Sequence, residues 1–167
     1  RMLYYSGGEL AAHGAYEEAA GRLRQFLACP EGWMEDKIGA ARQLAFCCVR
    51  MGQEEQALQA LFGSFAYDMP RAETCCQIGR HFLERGSYRQ AAFWYEQALR
   101  SEKHADSGAF VQEECYGFLP AISLCVCYDR LGERQKAERY NELAGKYKPY
   151  SPYYLENQKY FRNCGGW

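Results

Sequence analysis

An all-α fold is predicted for this 167-residue chain: a right-handed α-α superhelix of about four helix pairs, closed by a C-terminal capping helix. Three observations predict it. Four glycine-centred joints recur: His13-Gly14-Ala15-Tyr16-Glu17-Glu18-Ala19, Met51-Gly52-Gln53-Glu54-Glu55-Gln56-Ala57, Arg85-Gly86-Ser87-Tyr88-Arg89-Gln90-Ala91 and Leu131-Gly132-Glu133-Arg134-Gln135-Lys136-Ala137. In each, glycine ends one helix, where only a residue without a Cβ turns the chain cheaply. An alanine five residues on lies inside the next helix. Gly52 and Gly86 are 34 residues apart, a period at which stacked helix pairs repeat. Small and bulky residues also alternate in register with the joints.

That period is the tetratricopeptide one, and registering the glycines places each element. The first helices are expected near 2–13, 33–51, 71–85 and 118–131, and their antiparallel partners near 15–28, 54–67, 88–100 and 134–147. A terminal helix near 152–162 starts after Ser151-Pro152, with serine as N-cap and proline in the first turn. The chain then reads as one solenoid over 1–167, with repeats at 1–31, 32–70, 71–117 and 118–150 and a cap at 151–167. Gly7, Ala45, Gly79 and Cys125 are the small residues of the first helices; Ala19, Ala57, Ala91 and Ala137 are those of the second. Leu10, Leu44, Ile78, Phe82, Leu124 and Tyr128 are the bulky residues around them, so each pair buries its faces on its neighbours.

Two spacings depart from the period. Gly14 to Gly52 is 38 residues, close to one extra helical turn, which we assign to the start of the second repeat at Gly32-Trp33-Met34-Glu35-Asp36. Gly86 to Gly132 is 46 residues, and the surplus of 12 falls in an insertion loop at 101–117 that carries Asp106-Ser107-Gly108 and Phe110-Val111. Long loops on a solenoid serve either as functional segments or as anchored surface loops.

Composition narrows the function. Hydrophobic residues make up 48% and aromatic residues 16%, enough to build a core. The 20 basic and 21 acidic residues are interspersed, with a net charge of −1, so no nucleic-acid partner is expected. No apolar run approaches the ~18 residues of a membrane span, and none is expected. The nine cysteines include no C-x-x-C, and adjacent pairs such as Cys47/Cys48 and Cys75/Cys76 point to different helix faces. They are expected as buried reduced thiols with no metal, in a reducing compartment taken as the cytoplasm. No cofactor is expected. The chain opens on Arg1, an internal-looking start that fits a piece of a longer polypeptide.

First helices line the concave face of this fold, and residues four apart share a stripe. The register puts Tyr4 with Gly8, Arg42 with Phe46, Cys76 with Arg80, and Ile122 with Val126 on that face, with Glu73, Glu84, Asp129 and Arg130 at its rims. The candidate binding residues are therefore Tyr4, Arg42, Phe46, Cys76, Arg80, Ile122 and Val126. Such a groove suits a protein segment or peptide whose carboxylates pair with the arginines. It lacks the lysine and asparagine of repeats that clamp chaperone C-termini. No catalytic residues are identified: His13, His81 and His104 are dispersed, and neither a Gly-rich phosphate loop nor a nucleophile elbow occurs. The aromatic C-terminus (Tyr147, Tyr150, Tyr153, Tyr154, Tyr160, Phe161, Trp167) is expected to cap the last repeat through Tyr154, Leu155 and Phe161, with a homodimer contact as the alternative.

Several stretches are more particular: Trp33-Met34-Glu35-Asp36-Lys37, Ala60-Leu61-Phe62 through Pro70-Arg71-Ala72-Glu73, Phe93-Trp94-Tyr95, Gly117-Phe118-Leu119-Pro120, Leu124-Cys125-Val126-Cys127-Tyr128-Asp129-Arg130-Leu131-Gly132 and Tyr140-Asn141-Glu142. Together they resemble the tetratricopeptide-repeat C-terminal region of bacterial family 2 glycosyltransferases, over nearly the whole chain. In that family a nucleotide-sugar-binding catalytic domain precedes the repeats. This chain differs in having Glu113 and Tyr116 where the family tends to proline and tryptophan, and it has no Asp-x-Asp motif, so no catalytic residue carries over. The resemblance implies a non-catalytic region that dimerises the enzyme, braces its catalytic domain in cis or receives its acceptor. A free-standing adaptor binding a peptide in the groove is the alternative.

Overall fold

The computed structural model describes residues 1–104 and 110–165. Asp106-Ser107-Gly108 and Trp167 lie outside the described residues. Nine α-helices occur among the described residues: α1 Met2–Ala12, α2 Tyr16–Ala28, α3 Met34–Arg50, α4 Glu54–Gly63, α5 Ala72–Glu84, α6 Tyr88–Arg100, α7 Phe118–Arg130, α8 Arg134–Tyr147 and α9 Pro152–Cys164. Short 3-10 turns occur at Ser64–Ala66 and Glu113–Tyr116. The helices form the four expected pairs and the terminal helix. Two compact units result, one built on Arg1–Pro70 and the other on Arg71–Lys103 with the chain from Val111 onward.

The joints show why glycine recurs. Gly14, Gly52, Gly86 and Gly132 have φ between +73° and +79°, a region that costs other residues strain. At the second joint the Gly52 amide donates to the Val49 carbonyl (3.0 Å) and the Gln53 amide to the Cys48 carbonyl (2.8 Å). The same pair of bonds recurs at the other three joints, closing off carbonyls that a helix end otherwise leaves open. Ala15, Gln53, Ser87 and Glu133 then start the next helices with ψ of 62–69° and no side-chain cap.

In the N-terminal unit, the 38-residue spacing appears as one added turn. Helix α3 has 17 residues where α5 has 13. The added turn carries Lys37, whose Nζ donates to the Phe26 and Cys29 carbonyls at 2.5 Å each. It also stands 4.5 Å from the Phe26 ring centre. A cation on the last carbonyls of α2 complements that helix's dipole. The adjacent Asp36 pairs with Arg1 at 3.1 Å. Helix α2 buries Ala19, Ala20, Leu23 and Phe26, the i, i+1, i+4, i+7 stripe of an amphipathic helix. Leu23 is fully buried, a change of environment worth about 1.5–3 kcal/mol. An added Cβ on Gly7 would lie 2.8 Å from Leu23 Cγ, which is why the facing position is a glycine. Helix α4 stops earlier than expected: Gly63 ends it, and the chain passes into the 3-10 turn, where the Ser64 hydroxyl donates to the Leu61 carbonyl (2.6 Å).

In the C-terminal unit, α6 repeats the α2 stripe with Ala91, Ala92, Tyr95 and Ala98. Here Gly79 faces an aromatic ring, and an added Cβ would sit 2.9 Å from Tyr95 Cε2. Glu96 accepts from the hydroxyls of both Tyr128 and Tyr140, whose rings stack at 5.5 Å and 7°. The terminal helix caps α8. Phe161 is buried, and the Tyr154 ring fills the space over Gly145. Fully buried Asn141 donates to the Tyr154 carbonyl (3.2 Å) and accepts from Asn157 (3.1 Å). Arg134 closes the far end on the Phe161 and Cys164 carbonyls. Two expectations are corrected here. Leu155, expected in the capping layer, is 40% exposed. Ser151 holds the N-cap position, but its hydroxyl makes no capping bond, leaving Pro152 in the first turn to define the helix start.

All nine thiols are free; Cys29 and Cys164 are exposed and the other seven buried. No helix among the described residues is long and apolar enough to cross a membrane.

Candidate functional site

The first-helix face of the N-terminal unit is formed by α1 and α3. Tyr4 stacks on Phe26 at 5.7 Å between ring centres. Its hydroxyl lies over Gly39, where an added Cβ would come within 2.5 Å of it. Gly39 is thus a seat for a phenol. Burial pushes the Tyr4 hydroxyl pKa up, Asp36 adds to the effect and Arg42 opposes it, so at neutral pH the group is a hydrogen-bond donor. One turn on, Phe46 is 48% exposed and meets Tyr16 edge-on at 6.0 Å. The Arg50 guanidinium covers the Tyr16 ring at 5.4 Å. Val49 is also partly exposed. The Gln43 Oε1 is buried beside Gly8 and has no hydrogen-bond donor among the described residues. The face therefore presents an aromatic edge, a guanidinium and a phenol donor, a mixture suited to extended protein chain.

The corresponding face of the C-terminal unit, on α5 and α7, is arranged differently. Arg80 is exposed and pairs with Glu84 at 2.7 Å. Val126 is exposed and Ile122 half-buried, as a lining would be. Cys76, however, is buried, and its thiol donates to the Cys115 carbonyl at 3.6 Å. Glu73, expected at a rim, is buried too. It accepts from the Gln112 amide (2.9 Å) and from the Tyr116 hydroxyl (2.9 Å). The end of the insertion thus lies on the first turns of α5. Lys103 pairs with Glu113 and Lys148 with Glu114 at its exposed edges. Burial, and the bond to the Glu73 carboxylate, push the Tyr116 hydroxyl pKa above the ordinary phenol range. The hydrogen-bonded, buried Cys76 thiol is likewise pushed well up. Asp129, another expected rim charge, accepts from Tyr160 of α9 at 3.1 Å.

The structure thus brings Tyr4, Arg42 and Phe46 to one face, and Arg80, Ile122 and Val126 to another, and withdraws Cys76 from the surface. The covering role of 112–116 was not read from the sequence, because Glu73 meets Gln112 and Tyr116 some forty residues away. No group of three His, Cys, Asp or Glu side chains set to hold a metal occurs among the described residues.

No model of a known protein family matches the chain, and no curated protein sequence matches it. Solved structures do match. MamA is 19% identical, with a TM-score of 0.65 over 86% of this chain and 74% of MamA. YrrB, described as a TPR protein with an unusual peptide-binding site, is 19% identical with a TM-score of 0.67, over 93% of this chain and 73% of its own. PilF of Pseudomonas aeruginosa is 18% identical with a TM-score of 0.67, over 95% of this chain and 65% of its own. At these identities the likeness establishes the fold. It is a tetratricopeptide-type fold.

Proposed function

We propose that this chain is a non-catalytic repeat scaffold that binds an extended protein segment on the first-helix face of its N-terminal unit. The observation that carries this reading is Phe46, an aromatic side chain about half exposed, which meets Tyr16 edge-on one turn after Arg42. Water-exposed aromatic surface beside guanidinium and phenol groups is the composition of an interface centre. That YrrB is described as having a peptide-binding site agrees with this use of the fold. On the second unit the accessible part is Arg80, Ile122 and Val126. The recurrence of the same glycine joint at Gly14, Gly52, Gly86 and Gly132 supports treating 1–167 as one repeat array, and its seven buried free thiols suit a reducing compartment such as the cytoplasm. Panning a random-peptide display library on the chain should enrich ligands whose affinity falls about tenfold or more with Phe46→Ala or Arg42→Ala. Tyr153→Ala, in the cap, should leave them bound. Enrichment indifferent to both face substitutions would sink the reading.

The wider setting we infer is the C-terminal accessory region of a family 2 glycosyltransferase, in which the bound segment belongs to the catalytic domain in cis or to a second copy. The stretches from Trp33 to Lys37 and from Leu124 to Gly132 support it. A free-standing adaptor binding a peptide of another protein is the alternative. The native polypeptide, detected in its source cells with an antibody to this chain, separates them. A mass greater than 19.2 kDa by a further domain supports the first; a mass near 19.2 kDa supports the second. Light scattering tests self-association directly, and a dimer should give about twice the monomer mass.

A further inference from the structure

Arg42, Phe46 and Arg50 stand four residues apart on α3 and form one row along its surface, Arg42 half-buried and the other two exposed. Each step of four residues advances about 6 Å along a helix. That is close to the ~6.6 Å between alternate side chains on one face of an extended strand. An extended chain lying along α3 therefore sets every second side chain over one member of the row.

The two ends of the row suit acidic side chains, and the row itself carries no acid. Arg50 is held by the Tyr16 ring at 5.4 Å, and no carboxylate pairs with it among the described residues. At the other end, Tyr4 brings its hydroxyl over Gly39, three residues before Arg42. The Tyr4 ring packs on Tyr5 and Phe26, yet its hydroxyl has no hydrogen-bond partner among the described residues. It is left as a donor for a ligand oxygen, close enough to Arg42 to feel that charge. Asp36, which acts on the same hydroxyl, is engaged by Arg1 at 3.1 Å. Between the ends, Phe46 offers half-exposed aromatic surface.

We infer that the α3 row selects an extended peptide of the pattern acid-x-apolar-x-acid, with the apolar side chain on Phe46, one acid on Arg50 and the other on Arg42 and the Tyr4 hydroxyl. This selectivity rests on the binding of an extended segment at Phe46, proposed above, and names the chemistry of that segment. Tyr4 and Arg50 are then the groups that set its specificity.

The test uses the full chain and three end-capped, fluorescein-labelled peptides. The first is Ser-Glu-Thr-Leu-Thr-Glu-Ser. The second, Ser-Thr-Glu-Leu-Glu-Thr-Ser, has the same composition but turns its acids to the opposite face of the strand. The third replaces both acids of the first by glutamine. Anisotropy should show saturable binding of the first, about tenfold or more tighter than that of the other two. Arg50→Gln should weaken it about threefold to tenfold and Tyr4→Phe about threefold, while neither changes the affinity of the glutamine peptide. Equal affinity for all three peptides would overturn the inference, as would a preference that survives both substitutions; either result leaves the binding face itself standing. Should the short peptide not saturate, the ligands selected from the display library decide. Acids two residues to either side of an apolar residue support the inference, and Phe46-dependent ligands without them overturn it. A library that yields no Phe46-dependent ligand overturns the binding face and the selectivity together.

Discussion

The first turns of α3 and of α5 start from the same repeat position and end in opposite conditions. At Gly39 a phenol from the preceding pair, Tyr4, settles over a glycine and leaves the next turn, with Arg42 and Phe46, facing outward. At Glu73 a phenol again arrives, but from the insertion, and it comes with main chain that buries Cys76 as well. The repeat code governs which residues face the partner helix and says nothing of the outward ones. The outward positions therefore diverge within a single chain, one face left open and one furnished with a cover.

Substitutions can break this comparison, and the largest effect lies beneath the covered face. Gly79→Trp forces an indole against the Tyr95 ring and should cost about 3 kcal/mol, the upper end of the usual overpacking range, read from a urea melt. The equivalent change at the other face, Gly7→Trp, meets the aliphatic Leu23 instead and should cost less. Equal costs would mean that the two units yield alike. Next is Glu73→Ala, which strands the Gln112 amide and the Tyr116 hydroxyl; roughly 2 kcal/mol should be lost, the scale of removing a charged acceptor from buried donors. A neutral result would mean that the cover is held by something else.

Alkaline pH gives a third contrast. Burial raises the thiols of Cys75, Cys125 and Cys127 from 9.0 to about 12, all in the C-terminal unit. Unfolded thiols ionise near 9 while the folded ones stay protonated. Stability from these groups is therefore full below pH 9 and falls as pH rises from 9 towards 12. Urea midpoints at pH 7, 9 and 10 should decline only over the last step, and Cys75→Ala should flatten that decline. The smallest effects belong to exposed groups. Phe46→Ala should change stability by under about 0.5 kcal/mol while lowering ligand affinity about tenfold or more. Arg80→Ala, which breaks an exposed i, i+4 pair with Glu84, should cost at most about 0.5 kcal/mol.

The pairs and joints were legible because their causes are local. A glycine at positive φ, an alanine five residues on and a facing small residue all lie within one period, so Gly52 and Gly79 could be assigned from spacing alone. The added turn of α3 was legible for the same reason, as a surplus of four residues. What Lys37 does there was not, since its acceptors belong to the end of α2. The cover over Cys76 was hidden by distance: Glu73 meets partners some forty residues away, and nothing in its own helix distinguishes a rim carboxylate from a buried acceptor. Leu155 misled in the other direction. Its spacing fits a capping stripe, but Tyr154 and Phe161 already fill the surface of α8.

The distribution of sulfur gives the molecule a built-in record of its own opening. A thiol-specific reagent added to the folded chain should modify Cys29 and Cys164 at once. Each further label must then wait for a particular helix to part from its neighbour: α3 for Cys47 and Cys48, α5 for Cys75, α7 for Cys125 and Cys127. Mass spectrometry of timed labelling would therefore rank the repeats by how readily each comes apart, without introducing a single foreign probe.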